Sequence, residues 1–286
     1  MKDLKPNKRL LLGYGDIAQR LAKISLADEI PVTAVRRTPM QSAPIEPISG
    51  SVTNPETLGR VIEENIFDIV VTLTPDNYSA QGYRDTYLAC AQALAKILPT
   101  DSPQSRVVFI SSTSVYGQDN GELVDEESDC HPRSETAKVL LESEAAISGI
   151  GVTHCNLRFS GIYGPGRTRI IERTKSGNIP PRTPTHWTNR IHSDDCARAI
   201  DHLLRINSAD LPSYVLATDS LPAPRYDVQT YIADQLGISA SSDTPNNSGN
   251  EETGKRCSNK LLLGLGFELL YPDYREGFSK LIQSEH

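Results

Sequence analysis

Short apolar runs recur along the chain at Leu10–Leu12, Val32–Val35, Ile69–Leu73, Val107–Ile110, Val152–Leu157 and Tyr214–Ala217. Most are continuous rather than alternating, the pattern of strands buried on both faces by helices. The stretches between them are long enough for crossover helices, and several carry start signals. Asn54-Pro55-Glu56 places a capping residue before a proline, and Leu58, Val61 and Ile62 then share a face. A long helix is predicted over 76–98, with Tyr83, Tyr87, Ala91, Leu94 and Leu98 on one side. Ser134 opens another that carries Val139, Leu140 and Ala145. Ser193 caps a helix with Asp194 and Asp195 in its first turn, and Asp227 caps one stopped by Gly237.

The texture changes after Phe159. Residues 161–190 are rich in Gly, Pro, Arg and Thr and are predicted mainly as loops. Residues 239–253 lack a large apolar anchor and are predicted as a mobile surface loop. Beyond them, 255–283 offer Leu261, Leu262, Leu263, Phe267, Tyr271, Tyr274 and Phe278 for burial, with Asn259 as a helix cap, and are predicted to be ordered.

The first strand runs into Gly13-Tyr14-Gly15-Asp16-Ile17-Ala18. Gly13 permits a tight turn, Gly15 lets backbone approach a pyrophosphate, and Ala18 lets the new helix pack closely on the sheet. The amides at the start of that helix then face the phosphates. A GxGxxA run alone is weak, but here it follows a strand, opens a helix and leads to a second strand. Asp16 brings negative charge toward an anion site, which an outward-pointing side chain would relieve. The second strand ends in Val35-Arg36-Arg37-Thr38. An acidic residue at this point takes the ribose hydroxyls of NAD, whereas arginine suits the extra phosphate of NADP. NADP is therefore the expected cofactor and NAD the alternative, with Arg36 on the phosphate and Arg37 beside the adenine.

These features predict an α/β fold, a Rossmann-type doubly wound parallel sheet with a small carboxyl-terminal substrate lobe. The dinucleotide-binding domain is expected over 1–160, completed by 191–217, and the lobe over 161–190 and 218–286. A net charge of -7 gives no general attraction to nucleic acid or anionic membrane. No apolar run approaches the roughly 20 residues of a membrane span. The five cysteines are widely separated without CxxC spacing, and the histidines have no metal-ligand spacing. A cytoplasmic protein without a metal is expected, with a small molecule as its partner.

The run Phe109-Ile110-Ser111-Ser112-Thr113-Ser114-Val115-Tyr116-Gly117 makes a resemblance specific. With Leu157 to Arg167, Asn189 to Asp195, Lys255 to Asn259 and Tyr271 to Gly277, it resembles an extended short-chain dehydrogenase/reductase of the NAD-dependent epimerase/dehydratase family. The resemblance implies oxidoreductase or epimerase/dehydratase chemistry on a nucleotide-linked sugar or related compound. It implies Ser112 at the substrate carbonyl or hydroxyl and Lys138 at the cofactor ribose. It also implies a homodimer through helices near 76–98 and 134–148. One departure weighs against all of this. The tyrosine four residues before that lysine is Ser134 here. An alcohol is a far poorer acid than a phenol and much shorter, so catalysis needs another donor, with Tyr78 the least constrained phenol. A weakly catalytic or non-catalytic sensor or interaction protein is the competing reading.

Ser112 reads equally well as a loop-backbone partner. The polar segment Arg182 to Arg190 is the expected substrate-facing region, with Arg190 for an anionic group and Trp187 as an apolar wall. His192 reads as a structural hydrogen bond at the entrance to the next helix. Arg158 and Arg167 stay open between pocket contact and anchoring.

Overall fold

The apolar runs become strands of one seven-stranded sheet in the computed structural model, which describes residues 8–38, 45–62, 67–98, 105–239 and 251–284. The first half of the chain contains β1 (Lys8–Leu12), α1 (Asp16–Ala27), β2 (Val32–Arg36), β3 (Glu46–Ser49), α2 (Pro55–Ile62), β4 (Phe67–Val71), α3 (Ala80–Tyr83), α4 (Ala89–Ile97), β5 (Arg106–Ser112), β6 (Asn120–Val124), α5 (Glu135–Ser148) and β7 (Thr153–Phe159). The second half adds β8 (Gly161–Tyr163), α6 (Arg169–Lys175), β9 (Thr185–Thr188), β10 (Arg190–His192), α7 (Ser193–Arg205), β11 (Tyr214–Ala217), β12 (Ala223–Pro224), α8 (Arg225–Gln235), β13 (Glu252–Cys257), α9 (Lys260–Gly264) and α10 (Tyr274–Ser284).

The large sheet has the order β11-β7-β5-β4-β1-β2-β3. β1 pairs in parallel with β2 and β4, β4 with β5, and β2 with β3. The order reverses between β1 and β4, where open α/β sheets leave a crevice beyond the carboxyl ends of their strands. Strand β3 was not expected. Its Glu46-Pro47-Ile48-Ser49 has no buried residue, and its edge position explains why a proline is tolerated there.

Caps set the helix starts. Asn54 Oδ1 accepts the Glu56 N–H at 2.8 Å, and Ser79 Oγ accepts that of Gly82 at 3.1 Å. The long helix therefore begins at Ala80, not at 76, and passes through a π-helical turn over Arg84–Leu88 before α4. α8 starts behind Pro224, so Asp227 lies in the first turn instead of capping it.

The chain divides into two compact units. One comprises 1–115, 132–158 and 197–215, the other 116–131, 159–196 and 216–286. In the first, Leu10, Leu12, Leu58, Ile69, Leu94, Phe109 and Ile147 bring β1, β4 and β5 together with α2, α4 and α5. In the second, β12-β9-β13-β6 form a four-stranded sheet and β10 pairs with β8. Tyr163, Ile171, Val228, Ile232, Tyr274 and Phe278 form its core. The loop expectation for 161–190 is thus corrected: β8, α6 and β9 lie there, stabilised by partners distant in sequence.

The tail is ordered, but not mainly by its leucines. Leu262 is buried whereas Leu263 and Leu270 are exposed, and Phe267, Tyr271, Tyr274 and Phe278 supply most of the burial. Asp195 fastens the tail by accepting the N–H groups of Leu270 at 2.7 Å and Tyr271 at 2.9 Å. Asn259 does not cap α9 with its side chain. It donates instead to the Thr218 carbonyl and to Ser220 Oγ. Residues 240–250 of the expected loop lie outside the described residues, and Glu252 and Thr253 already belong to β13.

Candidate functional site

A cleft of about 400 Å³ opens beyond the carboxyl ends of β1, β2, β3 and β4. Gly13, Tyr14 and Gly15 form its floor, Arg36 and Arg37 stand at the end of β2, and Thr72, Leu73, Thr74 and Asp76 follow β4. Gly13 has φ +92°, and a Cβ there would lie 2.3 Å from the Thr72 carbonyl oxygen. Gly15 caps α1 with φ −83°, and a Cβ there would meet nothing within 4 Å. The first glycine is needed by the turn itself, while the second faces open space where an anion can approach the helix amides. Ala18 is fully buried and Ile17 nearly so. Asp16 Oδ1 accepts from Arg20 Nε at 2.9 Å, which counters its charge near the turn.

The two arginines differ. Burial raises the Tyr14 phenol above its ordinary range, and Arg36 is near enough to offset part of that rise. Arg37 makes a two-pronged ion pair with Asp76 at 2.5 and 2.6 Å, both side chains being largely exposed. Solvent screens such a pair, so it is a weak restraint on Arg37.

Ser112 ends β5, on the same sheet edge as the glycine turn and two strands away. Its Oγ accepts the Ser114 N–H at 3.1 Å. Ser134 is the cap of α5, its Oγ accepting the Ala137 N–H at 3.2 Å. One turn on, Lys138 Nζ pairs with Glu135 at 2.6 Å. Tyr78 lies on the loop after β4, is 77 % exposed, and is not among the residues lining the cleft.

Below Ser112 lies an ion pair that the sequence did not disclose. Glu144, on α5, accepts from Ser111 Oγ at 2.5 Å and from Arg158 Nε and Nη2 at 3.1 and 2.6 Å. All three residues are buried, and the Arg158 guanidinium covers the Tyr214 ring. Arg158 therefore anchors structure rather than lining a pocket. The only signal for Glu144 was a carboxylate inside an otherwise helical, partly apolar segment.

Within the second unit, Arg190 lines a cavity of about 380 Å³ together with Tyr163, Arg167, Arg169, Arg173, Arg225 and Phe278. Trp187 is not among the lining residues, and the Arg256 guanidinium covers its ring. His192 Nδ1 accepts the Asp194 N–H at 3.1 Å, the helix-entrance bond expected of it.

Asp219 was also missed. Burial pushes its carboxyl up to about 7 against the pull of Arg190, and the same burial holds the Arg190 guanidinium below its usual range. A folded carboxyl that holds its proton this tightly stabilises the fold below the ordinary aspartate range, and the contribution is lost as pH rises toward 7. From about pH 5 to pH 8 the wild type is expected to lose on the order of 2 kcal/mol more stability than Asp219→Asn. Urea unfolding across that range checks this, and parallel profiles would exclude Asp219 as the titrating group.

Residues 11–217 match the NAD dependent epimerase/dehydratase family. Protein YeeZ of Escherichia coli (strain K12) is 29% identical over 215 residues, covering 72% of each chain. The solved structure of an NAD-dependent epimerase/dehydratase from Methylobacillus flagellatus is 33% identical, covers 98% of this chain and 99% of its own, and superposes with a TM-score of 0.82. The dTDP-glucose 4,6-dehydratase of Bacillus anthracis in complex with NAD shares the fold at 17% identity, with 96% of both chains covered and a TM-score of 0.76. Glycine turn, strand order and chain-wide similarity agree: the protein belongs to the NAD dependent epimerase/dehydratase family.

Proposed function

We propose that the protein is an NADP-preferring oxidoreductase or epimerase/dehydratase-like enzyme acting on a small substrate related to nucleotide sugars. The observation that carries this reading is Arg36 at the end of β2, lining the same cleft as Gly13 and Gly15, where a ribose phosphate would stand. The open face of Gly15 fits a pyrophosphate, and no acidic residue ends β2 to favour the ribose hydroxyls of NAD. The bound nicotinamide would supply hydride chemistry. For the chain's own residues, Ser112 holds the substrate oxygen by donating its O–H, while its Oγ goes on accepting the Ser114 N–H. Lys138 is assigned to the ribose in place of Glu135. Tyr78, on the loop beyond the carboxyl end of the strand beside β5, is assigned the proton that the shorter Ser134 cannot deliver.

A charge-assisted hydrogen bond contributes roughly 1.5–3 kcal/mol, equivalent to about ten- to a hundredfold in affinity. Purified protein is expected to bind NADPH more tightly than NADH by such a factor, and Arg36→Ala to erase most of the difference. Equal affinities in the unmodified protein would overturn the cofactor assignment.

The second reading is a dinucleotide-binding sensor or interaction protein with little or no turnover. Ser134 favours it, because its hydroxyl is committed to capping α5. A screen of carbonyl and sugar-nucleotide substrates separates the two when it follows product formation as well as NADPH oxidation, because epimerisation and dehydration consume no cofactor.

A further inference from the structure

The glycine turn lies between two loops that an ion pair joins across the cleft. The sheet order β4-β1-β2 sets the turn after β1 between the loops that follow β2 and β4. Backbone bonds hold it there. The Gly13 N–H donates to the Val35 carbonyl at 3.0 Å, and the Thr72 N–H to the Leu12 carbonyl at 2.9 Å. Arg37 stands on the first loop and Asp76 on the second, and both line the cleft with Gly13, Tyr14 and Gly15. Their two-pronged pair, at 2.5 and 2.6 Å, therefore bridges the mouth of the cleft above the turn.

Both ends of this bridge are anchored through the backbone. On the β2 side, the Gly50 N–H donates to the Arg36 carbonyl at 3.0 Å, and Ser49 Oγ to that of Arg37 at 3.5 Å. On the β4 side, Tyr87 Oη donates to the Leu73 carbonyl at 3.0 Å, Pro75 is buried, and Asn77 Oδ1 accepts the Ser79 N–H at 3.2 Å. The paired side chains themselves are 66% and 68% exposed, so water replaces either partner when they part. The bridge thus opens and closes by side-chain rotation, with neither loop displaced. An ion pair this exposed shifts an equilibrium by no more than about fivefold, enough to keep the bridge mostly closed and too little to lock it. Among the described residues, Arg36 makes no ion pair, so the cation set against a ribose phosphate is not the one held in the bridge.

We propose that the Arg37–Asp76 pair is a strap across the dinucleotide cleft, which parts to admit the cofactor and re-forms over its pyrophosphate, slowing both entry and release. A bare carboxylate at this place would repel the pyrophosphate, but Asp76 is neutralised by its partner. Arg37 spends one N–H of each terminal nitrogen on Asp76. A guanidinium has five such donors, so the closed strap still presents N–H groups to phosphoryl oxygens beneath it. The pyrophosphate is common to both dinucleotides, so the strap acts on NADH and NADPH alike, whereas Arg36 separates them. This rests on the reading of the cleft as a dinucleotide site, but not on the preference for NADP.

Stopped-flow mixing of the full chain with NADPH or NADH, followed by nucleotide fluorescence, measures both rates. Asp76→Asn is expected to raise association and dissociation together, by about two- to fivefold for either nucleotide, with Kd within about twofold of wild type. The difference from wild type should shrink with added salt, which loosens an exposed pair. Arg37→Asp/Asp76→Arg, which reverses the charges and keeps the bridge, is expected to return both rates toward wild type and guards against a general disturbance of the fold. Unchanged rates in Asp76→Asn would overturn the strap. So would faster association without faster release, which would make Asp76 a competitor of the cofactor for Arg37. An effect confined to NADPH would make Arg37 a ribose-phosphate ligand and overturn it as well. Equal affinity of the wild type for the two nucleotides would sink the NADP preference and leave the strap standing. No binding of either would overturn the cleft reading itself, and the strap with it.

Discussion

Glu144→Ala is expected to destabilise the protein by about 3–5 kcal/mol, the loss found when one partner of a buried ion pair is removed. The carboxylate accepts from Arg158 through two nitrogens and from Ser111 Oγ, and neither Glu144 nor Arg158 reaches solvent. Truncation removes both of these hydrogen bonds from the buried Arg158 guanidinium, which otherwise covers the Tyr214 ring. It also releases α5 from β5 and β7, and α5 is the helix that carries Lys138. Replacing both partners with apolar residues, as in Glu144→Leu/Arg158→Met, should recover most of the loss, since no stranded charge remains. Urea unfolding of the single and double variants measures both quantities. A single-variant loss below about 1 kcal/mol would mean that the pair is solvated in solution and does not fix α5.

The second large effect separates two glycines only two residues apart. Gly13→Ala must adopt φ +92° and place its Cβ 2.3 Å from the Thr72 carbonyl oxygen. That carbonyl cannot retreat cheaply, because the Thr72 N–H donates to the Leu12 carbonyl at 2.9 Å and Thr72 Oγ1 donates to the Gly13 carbonyl at 3.2 Å. The β1–β4 edge would have to part. A stability loss of roughly 2–4 kcal/mol is expected from strain and collision together, along with loss of dinucleotide binding. Gly15→Ala has an ordinary φ and an open space for its methyl group, so stability should barely change. Its methyl group would instead stand where the pyrophosphate must approach, and dinucleotide affinity should fall at least about tenfold. Thermal unfolding and NADPH titration of the two variants test the contrast. Unchanged affinity in Gly15→Ala would remove the pyrophosphate from this turn.

What the chain reveals on its own is local. Burial on both faces writes itself into a strand as an unbroken apolar run, so Leu10–Leu12, Val107–Ile110 and the others were readable without a partner in view. A phosphate-binding turn is equally local, because its demands on φ, on close approach and on helix packing fall on Gly13, Gly15 and Ala18 in one short segment. The capping role of Ser134 was also legible, since a cap bonds to an amide three residues away. β3 was not, because an exposed edge strand needs no apolar pattern when β2 supplies its hydrogen bonds. Residues 161–190 misled for the same reason, their strands depending on pairing with β10, β12 and β13.

Side-chain chemistry between distant residues was decided only by tertiary structure. Nothing in the order of residues shows that Glu144 meets Arg158, or that Asp219 is buried near Arg190. Arg169 and Arg173 lie on α6 and Arg225 opens α8, far apart along the chain. Packing those helices through Gln229 makes them line one cavity with Arg190. The chain alone determines which segments must be buried and which turn can meet a phosphate, because backbone sterics and apolar periodicity act over a few residues. Which charges meet, and which are left without partners, depends on distances of a few ångströms between residues far apart in sequence, and only the folded chain sets those.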